Sequence, residues 1–205
     1  GNGKVTIFGA EGKDDITTGT GKAVINGGLG ADTITVGAGD VSVNGGAGND
    51  TLSMDDAALT KADTISGDKG TDVLQLGTLG AAIADADFTK VSTFEQLEFT
   101  GAGAGATTVT LGTLFNSTGI TTVTDKTTGT NAITIDASAV TSALTITGTA
   151  ADSDDTLKGG TGNDTISTGA SGVVEMTGGK GIDQFVAQSD QAGVTITDFG
   201  TNSQT

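Results

Sequence analysis

The chain repeats itself. The segment Gly27-Gly28-Leu29-Gly30-Ala31-Asp32-Thr33-Ile34-Thr35 recurs as Gly45-Gly46-Ala47-Gly48-Asn49-Asp50-Thr51-Leu52-Ser53 and again as Gly159-Gly160-Thr161-Gly162-Asn163-Asp164-Thr165-Ile166-Ser167. Looser copies run Gly9-Ala10-Glu11-Gly12-Lys13-Asp14, Gly67-Asp68-Lys69-Gly70-Thr71-Asp72 and Gly178-Gly179-Lys180-Gly181-Ile182-Asp183. All six fit G-G-x-G-x-D-x-U-x, where U is a large apolar residue and Ala10 and Asp68 replace the second glycine. Gly9, Gly27 and Gly45 are spaced at two successive intervals of 18 residues. Halfway between them lie the glycine turns Thr18–Gly21 and Val36–Gly39, which lack the aspartate. A fixed period of this kind is the mark of a solenoid, in which each repeat buries its apolar side only by stacking on the next. Each 18-residue coil therefore predicts two turns and two short strands, with the acidic turns piled along one edge. The expected fold is all-β, a right-handed parallel β-roll or β-helix. The longer interval from Gly45 to Gly67 places its excess in residues 55–61, expected to form a short helical insertion.

Composition removes many functions. Across 205 residues there are 25 acidic side chains against 9 basic ones, a formal net charge of −16, and no His, Cys, Trp, Tyr or Pro. All nine bases are Lys. Without His, Cys or Tyr the chain has no imidazole base, no Cys-His nucleophile and no thiolate metal site. A nucleic-acid partner is not expected, because phosphate binding needs a basic surface. No 18-residue apolar run occurs, so no membrane-spanning helix is expected. Aromatic residues are 3% of the chain, all Phe, which limits any core to thin aliphatic layers. Glu stands only at positions 11, 95, 98 and 175, and the other acids are Asp, the turn-compatible carboxylate.

Stacking gives these acids their chemistry. Adjacent parallel strands lie about 4.8 Å apart, so Asp14, Asp32 and Asp50 should form a ladder. At about 5 Å and an effective dielectric of about 20, neighbouring carboxylates repel by about 3 kcal/mol. A hard divalent cation between coils reverses that sign. Calcium accepts six to eight oxygens from carboxylates and backbone carbonyls, whereas magnesium demands a stricter octahedron. The glycines allow the backbones to approach closely and present their carbonyls.

These motifs resemble the repeats-in-toxin family of calcium-binding β-rolls, over about residues 3–76 and 151–199. The resemblance implies bound Ca2+, held in the first block by Gly9, Glu11, Gly12 and Asp14, by Gly27, Leu29, Gly30 and Asp32, by Gly45, Ala47, Gly48, Asn49 and Asp50, and by Gly67, Lys69, Gly70 and Asp72. In the second block it implies Gly159, Thr161, Gly162, Asn163 and Asp164, then Gly178, Lys180, Gly181 and Asp183. Asp155 joins them as a degenerate copy, ending in D-T-U without the leading glycines, as does Asp63. The bland reading is that these are Asp-Gly turns whose carboxylates only bond local amides.

Three segments follow: a calcium-binding β-roll over 1–76, Thr/Ala-rich β-helix rungs with little metal over 77–150, and a second calcium-binding β-roll with a closing segment over 151–205. In the middle segment, apolar clusters at Val109–Leu111, Ile120–Val123, Ile133–Ile135 and Leu144–Ile146 recur near the length of one rung. Residues 81–88 are expected to form a helical turn. Phe88, Phe94, Phe99 and Phe115 are expected to pack where the two parts join. The Thr of this segment (107, 108, 110; 121, 122, 124; 145, 147) do not fall into one register by spacing, so no flat T-x-T ladder is expected. The repeat begins in mid-pattern at Gly1, and the sequence is expected to be part of a longer chain.

Ser92–Phe99 resembles a strand found near repeats-in-toxin blocks in bacterial surface-layer proteins, as does Asp136–Val140. The tail, Gln184-Phe185-Val186 with Asp198-Phe199, resembles the segment that closes many secreted β-rolls. These resemblances imply a non-enzymatic, calcium-binding structural segment of a surface-layer protein, secreted unfolded by a type I route and assembling into a lattice outside the cell. Anchoring to cell-surface polysaccharide would fall to parts outside these residues. The alternative is the non-catalytic β-roll of a secreted enzyme, toxin or adhesin. A catalytic β-helix would need a base such as Arg, His or Tyr, and none is present.

Overall fold

A computed structural model describes residues 3–77, 80–101, 106–128, 132–148, 154–169, 173–188 and 193–198. The first half contains β1 (Val5–Glu11), β2 (Asp15–Thr17), β3 (Ala23–Leu29), β4 (Thr33–Thr35), β5 (Val41–Ala47), β6 (Thr51–Asp55), β7 (Thr64–Lys69), β8 (Val73–Gly77), β9 (Val91–Ser92) and β10 (Gln96–Phe99). The second half contains β11 (Thr107–Thr110), β12 (Thr122–Asp125), β13 (Ile133–Asp136), β14 (Thr145–Thr147), β15 (Asp155–Lys158), β16 (Thr165–Ser167), β17 (Val173–Thr177), β18 (Gln184–Val186) and β19 (Gly193–Ile196).

The even-numbered strands form one nine-stranded wall, from β2 at one end to β18 at the other. The odd-numbered strands form the facing wall in two five-stranded sheets, β1 to β9 and β11 to β19. Every pairing between named strands is parallel, which makes the fold an all-parallel β-solenoid.

One column of side chains explains why this sequence winds so. The U position of the motif supplies Ile16, Ile34, Leu52, Leu74 and Ile166, and these align with Leu97, Val123 and Ile146 down the nine-stranded wall. Facing them run Ile25, Val43, Ile65 and Val91, then Val109, Ile135, Leu157 and Met176. All of these are buried. Alternation does the rest: in β12 and β14 the residues flanking the inward apolar one are Thr and face outward.

The four phenylalanines are all buried, and two of them, Phe88 and Phe115, meet. Phe88, Phe94, Phe99 and Phe115 are each no more than 1% exposed. Phe88 and Phe115 make an edge-to-face pair with centroids 5.1 Å apart. The helical insertions are single 3-10 turns: Asp56–Ala58, Asp85–Phe88 and Phe115–Ser117. The helical turn expected over 81–88 is confined to Asp85–Phe88. The Asp85 carboxylate accepts the amides of Gly112, Leu114 and Phe115, so it caps the neighbouring turn.

One expectation is corrected. Thr122, Thr145 and Thr165 align, as do Thr124, Thr147 and Ser167, because unequal loops between rungs absorb the irregular sequence spacing. The hydroxyl face is broken in the preceding strands by Val73, Gln75, Gln96 and Glu98. Phe199, named in the closing motif, lies outside the described residues.

Candidate metal centre

Each glycine-aspartate turn connects an odd strand to the next even strand, and these turns stack along one edge. Strand register aligns Ala10, Gly28, Gly46 and Asp68, and likewise Glu11, Leu29, Ala47 and Lys69. Close packing of these turns explains the glycines. A Cβ on Gly28 would stand 2.0 Å from the Ala10 carbonyl oxygen, and one on Gly46 would stand 2.1 Å from that of Gly28. Both also require positive φ, at 113° and 112°. Ala10 and Asp68 hold the same conformation, at 82° and 73°, against the preference of an L-residue.

The leading glycine of each motif is pinned from inside the coil. A Cβ on Gly27 would lie 2.4 Å from the Gly45 carbonyl oxygen and 2.5 Å from Asp32 Oδ2. At Gly9 the corresponding oxygens are the Gly27 carbonyl and Asp14 Oδ2; at Gly45 they are the Gly67 carbonyl and Asp50 Oδ2. Each such glycine is therefore overhung by a carbonyl from the next coil and a carboxylate oxygen from its own.

The aspartates form a continuous ladder. Asp14 N–H donates to Asp32 Oδ1 at 2.8 Å, Asp32 N–H to Asp50 Oδ1 at 2.8 Å, and Asp50 N–H to Asp72 Oδ1 at 2.7 Å. Oδ1 of Asp32, Asp50 and Asp72 thus ties each coil to the one before. Oδ2 does not: in Asp14, Asp32, Asp50 and Asp72 it is sealed from solvent without a hydrogen-bond partner. Leaving a charged acceptor buried and unsatisfied costs more than an ordinary hydrogen bond returns. Burial pushes the Asp50 carboxyl above its usual range; the Asp32 amide opposes this and the Asp32 charge adds to it. Asp72 is raised in the same way by burial, with the charges of Asp50, Glu95 and Asp68 around it.

The ladder runs further than its motif. Asp72 N–H donates to Glu95 Oε2 at 2.6 Å, and the Thr93 carbonyl takes the place over Gly67 that Gly45 takes over Gly27. Glu95 is a rung no glycine announces; the one sequence signal is an acid 23 residues after Asp72, in step with the coil.

In the second block Asp164 N–H donates to Asp183 Oδ1, and Leu144 N–H donates to Asp164 Oδ1. Asp164 differs in that Oδ2 accepts the Gly160 amide at 2.7 Å. Burial raises its carboxyl, with those two amides opposing and Asp183 adding. Asn49 and Asn163 use Oδ1 to accept the amides of Thr71 and Ile182 in the next coil. Asp155 does not stand on this edge. It opens β15 on the opposite one, accepting the Ile133 amide as Asp63 accepts that of Val41. Two D-T-U endings thus belong to the other row of turns.

A family model for the RTX calcium-binding nonapeptide repeat matches four times, at residues 1–25, 26–55, 58–78 and 149–171. The chain carries RTX calcium-binding repeats. Such repeats imply Ca2+, and the first block fits it: four orphaned carboxylate oxygens, each beside a carbonyl of the adjacent coil, are a hard, all-oxygen donor set. Among the described residues no three carboxylates converge on one point, so backbone carbonyls would complete the shell. Asp14, Asp32, Asp50 and Asp72 with the carbonyls of their turns would hold the ions, whose charge offsets repulsion between coils. RTX repeats are structural and not catalytic in themselves. No match was found among curated proteins or among solved structures.

Proposed function

We propose that this is a structural segment of a secreted bacterial surface-layer protein that folds and self-assembles when it meets extracellular calcium. The observation carrying the calcium part is the row of partnerless Oδ2 atoms, which makes the folded state electrostatically incomplete by itself. Sites of extracellular type have Kd of about 10⁻⁴–10⁻³ M. At tenfold saturation each contributes about 1.4 kcal/mol, so four to six give about 6–8 kcal/mol. That equals the whole stability of many domains. A chain with such sites stays unfolded where calcium is scarce, as export in the unfolded state requires, and folds outside.

The surface-layer part is supported by the Thr-, Ala-, Gly- and Asp-rich composition, the lack of His, Cys, Trp and Arg, and the plain rungs β11 to β14 between two metal-type blocks. The phrases Ser92–Phe99 and Asp136–Val140 point the same way. Open ends of a solenoid and acidic edges are natural lattice contacts. No part of this reading assigns a reaction to the chain, and polysaccharide anchoring is left to other parts of the protein. The alternative parent is a secreted enzyme, toxin or adhesin with the same roll. Electron microscopy of the full-length protein with calcium, and again after chelation, separates them. Ordered sheets that dissolve on chelation support the surface layer; isolated rods overturn it in favour of the alternative.

A further inference from the structure

The first glycine-aspartate row ends against a turn that carries no motif. Register sets Val91 and Ser92 of β9 beside Ile65 and Ser66 of β7, so Thr93 falls in step with Gly67, the leading glycine of the last motif in that block. From there the two turns differ. Asp72 follows Gly67 by five residues, whereas Glu95 follows Thr93 by two. The longer Glu95 side chain makes up the reach. Its Oε2 accepts the Asp72 amide at 2.6 Å, as Asp72 Oδ1 accepts the Asp50 amide one coil earlier.

The short turn is held from several sides. Phe94 is 1% exposed and its amide donates to the Thr118 carbonyl at 3.1 Å, while the Glu95 amide donates to the Asp72 carbonyl at 3.2 Å. Thr93 holds φ at 54°, a region that a β-branched residue enters only at a cost. Its Oγ1 accepts the Asp68 amide at 2.8 Å, which braces that conformation. What the strained residue presents is a carbonyl. A Cβ on Gly67 would lie 2.3 Å from the Thr93 carbonyl oxygen and 2.5 Å from Asp72 Oδ2. These two oxygens border one point, as the Gly45 carbonyl and Asp32 Oδ2 do at Gly27.

Asp72 is 0% exposed, and its Oδ2 has no hydrogen-bond partner. Elsewhere the chain supplies a donor to such an oxygen. Asp164 Oδ2 accepts the Gly160 amide, and Asp63 Oδ2 accepts the amide and hydroxyl of Thr60. Beside Asp72 the chain adds negative charge instead, since Glu95 and Asp68 both bear on it. A turn that merely closed the row would have no reason to leave a buried acceptor empty and set a second carboxylate next to it.

We propose that the row carries a terminal calcium ion between Asp72 and Thr93, a site with a motif on one side only, with Asp72 Oδ2 and the Thr93 carbonyl as ligands. Glu95 is its positioning residue: it holds the Asp72 amide and supplies charge in place of the missing aspartate. The ion joins the glycine-rich coil to the first plain one. This rests on the calcium reading of the row and extends it by one site that the motif does not mark.

Equilibrium dialysis of the chain against calcium counts the ions, with circular dichroism at saturating calcium to confirm folding. Glu95→Gln keeps an acceptor for the Asp72 amide and removes the charge. A unit charge within about 5 Å of a divalent ion changes its affinity by at least about tenfold even at the dielectric of water. The variant is therefore expected to bind one ion fewer at calcium that just saturates the unaltered chain. Asp50→Asn removes ions between motif copies and reports the row separately. If Asp50→Asn loses ions while Glu95→Gln binds as many as the unaltered chain and as tightly, the terminal site is overturned and the row stands. If the chain binds no calcium at all, both readings fail. Should Glu95→Gln not fold, the unaltered chain still decides. A calcium anomalous difference map of its calcium-loaded crystals is expected to show an ion bonded to Asp72 Oδ2 and the Thr93 carbonyl. Ions along Asp14, Asp32 and Asp50 with none beside Thr93 overturn the proposal.

Discussion

Asp50→Asn should reverse the sign of its effect with calcium. Asp50 sits between Asp32 and Asp72 in the ladder, 2% exposed, with Oδ1 accepting the Asp32 amide and Oδ2 unpartnered. Asparagine keeps the Oδ1 acceptor and removes only the charge. At about 5 Å, each neighbour repels by about 1–3 kcal/mol for an effective dielectric between about 80 and 20. Losing both repulsions stabilises the calcium-free fold by at least about 2 kcal/mol. In calcium the same change strips a ligand from the spaces on both sides. At about 1.4 kcal/mol per site at tenfold saturation, the loss is about 3 kcal/mol. The assay is thermal unfolding followed by circular dichroism, in millimolar calcium and in chelator with an osmolyte to bring the calcium-free chain into its transition. A variant destabilised in both conditions would refute the reasoning, because Asp50 would then be an amide cap and nothing more.

Three further outcomes follow from the same structure. Burial holds the carboxyls of Asp50, Asp72 and Asp164 above the usual range, so the calcium-free folded chain binds protons more readily than the unfolded chain. Their contribution is favourable at low pH and lost as pH rises through the folded-state values. In chelator, the β-signal should therefore grow as pH falls through the raised folded-state values, with little change in saturating calcium. Asp68→Gly relieves a left-handed L-residue and one ladder-side charge, and should raise stability by about 1 kcal/mol, read as a shift in denaturant midpoint. Phe88→Ala removes a fully buried ring from its edge-to-face contact with Phe115 and should cost about 3–5 kcal/mol, measured by denaturant unfolding in calcium.

The glycine-aspartate row was legible in the sequence because its backbone tolerates so little. With a carbonyl about 2 Å from where the Cβ of Gly28 or Gly46 would be, glycine is strongly favoured, and glycines recurring at a fixed interval reveal coil length and register. The U positions followed, since Ile16, Ile34, Leu52 and Leu74 inherit that period. Glu95 escaped because its longer side chain reaches the Asp72 amide without a glycine turn to mark it. Asp155 was read as a member of the row, but the parity of its strand puts it on the other edge. The threonine alignment was hidden by loops of unequal length, which break the sequence period while leaving the spatial one intact.

The most direct test of the account is a calcium titration of chelated protein followed by far-ultraviolet circular dichroism, with bound calcium counted in parallel. The account predicts a cooperative passage from disordered to β-rich signal in step with ion uptake, at submillimolar to millimolar free calcium. A full β-signal in chelator, with an unchanged melting temperature and no ion taken up, would contradict it.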